Sequence, residues 1–184
     1  MLDLAKSNNL KIMLTMFSFE CVNFDNCLWM LKDSGKSDSY VNNGLIPLLN
    51  YLSYHGVKDQ VHSIEIFNEP EWMIEGGAGV KRTTDLASVQ AFVSKVNKVV
   101  TSKGYLATVG SASLKWSCNC GHWCAGNWWK DTGISFYNIH YYPWMAENGN
   151  TYDPFNTKPS DWCLTGAQIV IGESPGWTGD SLKG

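Results

Sequence analysis

Two glutamates in this sequence each follow a short apolar run and precede a proline-containing turn. Glu69 lies in IEIFNEPEW and Glu173 in IVIGESPGW. The stiff turns should hold both side chains at the ends of β-strands. Two facing carboxylates can hydrolyse a glycosidic bond, because one protonates the leaving oxygen while the other attacks the anomeric carbon at about 5–5.5 Å, or activates water at roughly 6.5–9.5 Å. The pair therefore predicts glycosidase chemistry, with a solvated loop carboxylate as the alternative for either residue alone.

The chain around these glutamates alternates between apolar runs and segments of helical period. Five strands are predicted, at residues 11–19, 61–67, 105–110, 134–140 and 168–172. Helices are predicted at 39–54 and 84–103, with short helices at 126–131 and 158–164. Strands that alternate with helices pair in parallel through crossover connections, so the pattern indicates an α/β fold with helices outside the sheet. We interpret residues 1–184 as a single domain, because we find no repeat or linker.

Polar and aromatic residues gather after the predicted strands rather than before them. Asn68 and Glu69 follow the second strand, His140 and Tyr142 the fourth, and Glu173 the fifth. The carboxyl ends of parallel strands form the active face of (β/α) barrels and of open doubly wound sheets. The neighbours Glu65 and Glu71, which alternate onto the other side of the strand or into the loop, are interpreted as structural or solvated.

Three of these strand ends together resemble a known enzyme family. The segments are IFNEP at 66–70, IHYY at 139–142 and IGE at 171–173. In this order they resemble the signatures on the fourth, sixth and seventh strands of clan A retaining glycoside hydrolases, most closely family 5. That family includes cellulases and β-mannanases built on a (β/α)8 barrel. The resemblance extends from about residue 11 to residue 177, and it implies a TIM-barrel fold.

The resemblance also implies roles for individual residues. Glu69 matches the general acid/base and Glu173 the nucleophile, while Asn68 matches an asparagine that bonds the sugar 2-hydroxyl. Tyr142 matches a tyrosine that orients the nucleophile, and His140 matches a histidine of the same subsite, although a hydrogen-bonded core histidine is the alternative. In these roles Glu69 needs a raised pKa, and Glu173 must stay ionised with hydrogen-bond donors around it.

Several of the nine tryptophans follow the predicted strand ends and sit among small polar residues. Indole rings suit the flat C–H faces of pyranoses, so a row of them would grip a polysaccharide. Trp116, Trp144 and Trp177 lie nearest the strand ends and are predicted to bind substrate. Trp128 and Trp129 are interpreted as packing residues.

The resemblance also predicts that only part of a barrel is present. If Glu69 ends the family's fourth strand, the five predicted strands are strands 3 to 7, and strands 1, 2 and 8 have no counterpart. A (β/α)8 barrel takes about 250 residues, against 184 in this chain. The chain is therefore predicted to be a possibly truncated catalytic domain of uncertain activity, and its open sheet edges predict self-association.

The predicted function is that of a retaining endo-acting glycoside hydrolase that cleaves a β-1,4-linked polysaccharide by double displacement. The alternative is a catalytically impaired protein that binds glycans through a Trp-lined cleft. The motifs do not distinguish cellulose or another β-glucan from mannan as the substrate. Neither hypothesis requires a cofactor, and GGAG at 76–79 matches no phosphate-binding loop.

Six cysteines include a close cluster of Cys118, Cys120 and Cys124 around His122. Such a cluster could hold a soft metal, but zinc sites generally use two well-separated pairs, so a disulfide staple is favoured and no metal is predicted. Six cysteines allow 15 pairings, and the sequence does not choose among them. Their number favours an oxidising compartment and hence a secreted protein, although the first residues do not resemble a signal peptide.

Charge and hydropathy exclude two other kinds of partner. The net charge is −3 and Lys and Arg are not clustered, whereas nucleic-acid binding depends on a basic face. No apolar run approaches the roughly 20 residues of a membrane-spanning helix. A polysaccharide is therefore the expected partner, rather than nucleic acid or a membrane.

Overall fold

In a computed structural model, five parallel strands form one sheet in the order β1-β2-β3-β4-β5. The structure describes residues 1–120, 124–142 and 157–174, apart from the side chains of residues 25 and 26. Each strand pairs with the strand that follows it in the chain. The strands are β1 (Ile12–Thr15), β2 (Val61–Asn68), β3 (Leu106–Ser111), β4 (Tyr137–His140) and β5 (Ile169–Glu173). The predicted α/β fold with five strands of a barrel is therefore confirmed.

The described residues contain six α-helices and a π-helical segment. The α-helices are α1 (Leu2–Ser7), α2 (Asp25–Lys32), α3 (Ser34–Tyr40), α4 (Ile46–Tyr54), α5 (Glu71–Glu75) and α6 (Leu86–Ser102). The π-helical segment Val41–Leu45 joins α3 to α4. Short 3-10 helices lie at Phe19–Asn23, Lys58–Gln60, Leu114–Trp116, Lys130–Thr132 and Pro159–Trp162. None of the helices in these residues is long and apolar enough to cross a lipid bilayer.

Helix α6 shows how the hydrophobic pattern becomes a packed element. The Asp85 side chain accepts a hydrogen bond from the Ser88 N–H at 2.8 Å and caps the first turn. Val89, Val93 and Val96 recur at steps of four and three and are fully buried, so this stripe faces the sheet. The helix ends at Ser102, close to the predicted boundary, before Gly104 at φ +76°.

The main core lies between the sheet and these outer helices. Ile64 and Ile66 on β2 and Leu49 and Leu52 on α4 are at most 1% exposed within it. A second, smaller core lies beside β4 and β5; its members are Leu114, Cys118, Ile139, Trp162 and Leu164. Both faces of β2 are buried along most of its length, as expected for a parallel strand with helices outside the sheet.

Helices α2 and α5 were absent from the sequence prediction, and most of α3 precedes the predicted helix start at residue 39. Helix α2 occupies a stretch where no helix was predicted, and the Cys21–Cys27 disulfide anchors its first turn. Helix α5 has only five residues, which is too short for a hydrophobic period to show. Conversely, the predicted short helices at 126–131 and 158–164 are 3-10 turns at Lys130–Thr132 and Pro159–Trp162.

The cysteine cluster contains a disulfide. Cys118 is bonded to Cys124, and the first disulfide joins Cys21 to Cys27. The predicted staple is thus confirmed for the loop after β3. A metal centre that uses all three cysteines of this cluster is not compatible with the bond, because two of the sulfurs are already paired.

Candidate active site

Glu69 occupies a sharp bend at the carboxyl end of β2. Its φ of +51° lies in the left-handed region, which is uncommon for a residue with a side chain and concentrates at functional sites. The bend is fixed on both sides, because the Asn68 N–H donates to Phe17 O at 2.8 Å and the Glu69 N–H donates to Gly110 O at 2.7 Å. The neighbouring strands therefore hold the Glu69 backbone in this conformation.

The Glu69 carboxylate is held by one partner at each oxygen. Trp72 Nε1 donates to Oε2 at 2.8 Å, and His140 Nδ1 lies 2.7 Å from Oε1. Trp72 was not predicted as part of the site; the only signal was its position three residues after Glu69, at the first turn of α5. With both oxygens engaged, the carboxylate has a fixed orientation.

His140 lies between the two predicted carboxylates at the end of β4. Its side chain is 1% exposed, and Nδ1 is 3.5 Å from Glu173 Oε2 as well as 2.7 Å from Glu69 Oε1. The carboxylates and the imidazole offer atoms that all lie within 4.8 Å of one another. One oxygen of Glu69 therefore lies within 4.8 Å of one oxygen of Glu173.

Glu173 ends β5 and is the more open of the two carboxylates. Its side chain is 41% exposed, against 13% for Glu69. Tyr142 donates its hydroxyl hydrogen to Glu173 Oε2 at 2.6 Å. This hydrogen bond, together with burial and the charges of both glutamates, raises the pKa of Tyr142 to about 12. Tyr142 therefore stays a donor at neutral pH, which is the kind of support that an ionised Glu173 requires.

The protonation of Glu69 differs from the sequence-based expectation. Burial would raise its pKa, but the hydrogen bonds from His140 and Trp72 and the charge of His140 lower it below the usual value. Burial would likewise lower the pKa of His140, but the hydrogen bond with Glu69 and the charges of Glu173, Glu69 and Glu65 raise it. The raised pKa expected for Glu69 is thus wrong for the resting site, where the pKa of Glu69 is lowered and that of His140 is raised.

Asn68 lies at the same edge of the sheet as the two glutamates. It is half-buried, and its backbone is paired opposite Gly110 in the β2–β3 register. The structure therefore brings together Asn68, Glu69, His140, Tyr142 and Glu173 at the carboxyl ends of three strands, β2, β4 and β5.

The prediction that Trp116 binds substrate needs correction. Its ring is only 3% exposed and packs edge-on against Trp72, with centroids 5.5 Å apart, and against Trp128 at 6.1 Å. It offers no free face to a sugar, because these two rings and the ammonium group of Lys115, 4.7 Å from the ring centroid, lie against it. Trp129 is fully buried, in agreement with its interpretation as a packing residue. The predicted residues Trp144 and Trp177 lie outside the described residues.

The interpretation of Glu65 and Glu71 as structural or solvated is half right, since both are buried and neither is solvated. Glu65 points into the sheet interior below His140, where Thr15 Oγ1 donates to Oε2 at 2.5 Å and Asn138 Nδ2 donates to Oε1 at 2.6 Å. Burial raises its pKa. Gly110 permits this approach, because a Cβ there would lie 2.2 Å from Glu65 Oε1 and 3.0 Å from His140 Nε2.

We expect Gly110→Ala to destabilise the protein by about 1–3 kcal/mol, because the new methyl group would displace two buried polar side chains. Urea unfolding measures the effect. Gly44→Ala is the matched control, since a Cβ at this helical glycine meets only Tyr40 at 3.5 Å and alanine is the better helix former. If Gly110→Ala is as stable as the wild type, a Cβ at residue 110 is not crowded by Glu65 and His140.

Glu71 is fully buried beneath the same edge, on α5. Ser111 Oγ lies 2.6 Å from Glu71 Oε1 and 3.2 Å from Ser113 O, and the Ala112 N–H donates to Oε2 at 3.2 Å. The single hydroxyl hydrogen of Ser111 can serve only one of its two oxygen neighbours. A proton on Glu71 would let the carboxyl group donate to Ser111 and leave Ser111 free to donate to Ser113 O. Burial correspondingly raises the pKa of Glu71 to about 7.

This raised pKa predicts how stability changes with pH. The folded state binds the Glu71 proton more tightly than the unfolded chain, whose ordinary value is 4.5. The contribution is therefore fully present below about pH 4.5 and is lost as the pH rises through about 7, a change of roughly 3 kcal/mol. We expect Glu71→Gln to show a smaller fall in unfolding free energy between pH 4.5 and 8. If the unfolding free energy of Glu71→Gln falls as much as that of the exposed control Glu75→Gln, groups other than Glu71 cause the pH dependence.

Comparison with known proteins agrees with this fold. No family model matches the chain. It is 30% identical to a mannan endo-1,4-beta-mannosidase from Cryptopygus antarcticus over 94% of this chain and 52% of the relative. The crystal structure of the beta-1,4-D-mannanase from Cryptopygus antarcticus matches with a TM-score of 0.73 and 24% identity, over 93% of this chain and 54% of that one.

A second solved structure shows the same fold. The beta-1,4-mannanase of the sea hare Aplysia kurodai matches with a TM-score of 0.75 and 22% identity, over 94% of this chain and 57% of that one. The chain thus spans about half the length of the relatives that it matches. The resemblance to β-mannanase-type glycoside hydrolases is confirmed: the chain is similar to β-1,4-mannanases, and its five consecutive parallel strands match part of their TIM-barrel fold.

Proposed function

We propose that the protein is a retaining endo-β-1,4-mannanase in which Glu173 is the nucleophile and Glu69 the general acid/base. One observation carries this assignment: the two carboxylates project from strand ends of one sheet with His140 between them, and the three groups approach within 4.8 Å. Mannan is preferred to glucan as the substrate because the relatives are named mannanases.

In the first step, a Glu173 oxygen attacks the anomeric carbon as the bond to the leaving sugar oxygen breaks. The leaving oxygen takes a proton from Glu69, and a covalent glycosyl-enzyme ester remains. The exposure of Glu173 suits it to this role, and the hydrogen bond from Tyr142 stabilises its charge before attack. In the second step Glu69 takes a proton from water, which attacks the same carbon and releases Glu173 with net retention of configuration.

The proton for the first step starts on His140. The distance from His140 Nδ1 to Glu69 Oε1 is 2.7 Å, so one transfer along the existing hydrogen bond gives a neutral imidazole and a protonated Glu69. Burial already acts to raise the pKa of Glu69, and a bound sugar chain would exclude more water. Substrate binding therefore favours the protonated form that catalysis needs.

Early product analysis tests this proposal. Purified protein is incubated with soluble β-1,4-manno-oligosaccharides, and the anomers are followed by NMR before mutarotation. We expect the β anomer to be released first. We also expect the viscosity of mannan to fall faster than reducing ends are produced. Initial release of the α anomer would show inversion, and faster cleavage of cello-oligosaccharides would replace mannan by glucan as the substrate.

The alternative is a protein that binds glycans without hydrolysing them. The burial of Trp116 weakens this alternative, because Trp116 was one of the three tryptophans predicted to bind the sugar. The lowered pKa of Glu69 favours it, since a glutamate that never gains a proton cannot act as an acid. Retention of the protein on insoluble mannan, with no sugar released during long incubation, would establish this alternative. We also propose that the protein is secreted, which the two disulfides support.

A further inference from the structure

The two cysteines outside the disulfides meet beside the second core. Cys120 follows the 3-10 helix after β3 and is half-buried, while Cys163 ends the 3-10 helix before β5 and is exposed. Cys120 Sγ lies 3.5 Å from Asp161 O, two residues before Cys163, and the thiols of Cys120 and Cys163 are close enough to affect each other's ionisation. Two segments 43 residues apart thus bring these two cysteines close together.

Other contacts hold these two segments together without help from the thiols. The Cys118–Cys124 disulfide closes the loop that carries Cys120. On the opposite segment, Trp162 and Leu164 flank Cys163 and are each 4% exposed, packed in the second core with Cys118. The approach of the two sulfurs is therefore built into the packing of the core.

We propose that Cys120 and Cys163 are a redox-active pair that forms a third disulfide when the protein meets a low-molecular-weight disulfide such as oxidised glutathione. The bond would link the loop after β3 to the segment before β5. These segments flank β4, so it would brace the strands that carry His140 and Glu173.

The exchange proceeds in two balanced steps. The exposed Cys163 thiolate attacks glutathione disulfide, which gives a mixed disulfide on Cys163 and releases one glutathione thiolate. The Cys120 thiolate then attacks the Cys163 sulfur, forms the protein disulfide and releases the second glutathione. Two cysteine thiols are oxidised, one glutathione disulfide is reduced, and the protons of the two thiols pass to solvent or to the released thiolates.

The second step is expected to be the slow one. Burial, the hydrogen bond with Cys163 and the charges of Cys163 and Asp161 raise the pKa of the Cys120 thiol to about 11. After Cys163 has entered the mixed disulfide, burial and the charge of Asp161 still oppose ionisation of Cys120, so the resolving thiolate is scarce at neutral pH. Glutathione bound to Cys163 should accumulate at pH 7 and give way to the protein disulfide faster as the pH rises toward 9.

Thiol titration and peptide mapping test the pair. The purified protein, with its two disulfides intact, is incubated with oxidised glutathione, quenched with acid, alkylated and digested without reduction. We expect two thiols before treatment and none after it, with a cross-linked peptide that contains Cys120 and Cys163. Purified protein that already contains this bond would also support the proposal. Three results would overturn the proposal. They are two thiols that persist after treatment, stable glutathione adducts on both cysteines at pH 9, and pairing of Cys120 with Cys118 or Cys124.

Two variants distinguish the effect of the new disulfide on the melting temperature from other effects on folding. Cys163→Ser should leave Cys120 as a single thiol and should lower the melting temperature of the glutathione-treated protein by roughly 5–10 °C relative to treated wild type. Cys120→Ser should retain glutathione on Cys163, since no resolving thiol remains. If treated wild type and both variants melt at the same temperature, the bond does not brace the fold and the proposed linkage is wrong.

Discussion

Glu173→Gln is expected to lower kcat on manno-oligosaccharides by about 10⁴-fold or more, in line with losses seen when an enzyme's nucleophile is removed. The amide has nearly the shape of the carboxylate and can still accept the hydrogen bond from Tyr142, so the fold should persist. It carries no charge with which to attack the anomeric carbon. The loss would therefore report on chemistry rather than on stability.

The measurement compares initial rates of reducing-sugar release for wild type, Glu173→Gln and Glu75→Gln. Glu75 is an exposed glutamate whose carboxylate pairs with Lys115 at 3.3 Å, so its neutralisation should leave the rate near that of wild type. Circular dichroism and melting curves establish that all three proteins are folded. More than a tenth of wild-type kcat in Glu173→Gln would remove Glu173 from the role of nucleophile.

Glu69→Gln is expected to lower kcat by about 10²- to 10⁴-fold, with the size of the loss set by the leaving group. A sugar leaving group needs a proton, whereas a dinitrophenolate does not. Cleavage of a dinitrophenyl β-mannoside should therefore show a burst of phenol followed by slow turnover, because the first step survives and the second lacks its base. Equal losses for both substrates would contradict an acid/base role.

The same variant tests the proton held by His140. The hydrogen bond and the charge of Glu69 both help to raise the pKa of His140, so removing that charge should lower the pKa. NMR titration of the imidazole in wild type and Glu69→Gln measures the shift. An unchanged His140 pKa would mean that Glu69 does not stabilise the proton on His140, whatever the effect of Glu69→Gln on the rate.

The sequence predicted the scaffold of this site because its signals are local. The runs that become β2 and β5 are apolar and β-branched, and each ends in a carboxylate before a proline-containing turn. Parallel pairing then places these ends on one edge, so the meeting of Glu69 with His140, Tyr142 and Glu173 could be expected before any distance was known.

The parts that the sequence did not predict depend on contacts between distant segments. The ionisation of Glu69 is set by His140, 71 residues later in the chain, and by the indole of Trp72. Trp116 is buried against Trp72 and Trp128, which lie 44 and 12 residues away along the chain. Helix α2 has only eight residues, and its first turn is anchored by a disulfide with Cys21.

The order of the sheet bears on how the protein is made. Every strand pairs with the one that precedes it in the chain, so each unit can dock on an existing edge as it leaves the ribosome. Glu69 and His140 would meet once β4 has emerged. The second carboxylate arrives only with β5, so a nascent chain can place Glu69 beside His140 before Glu173 is present.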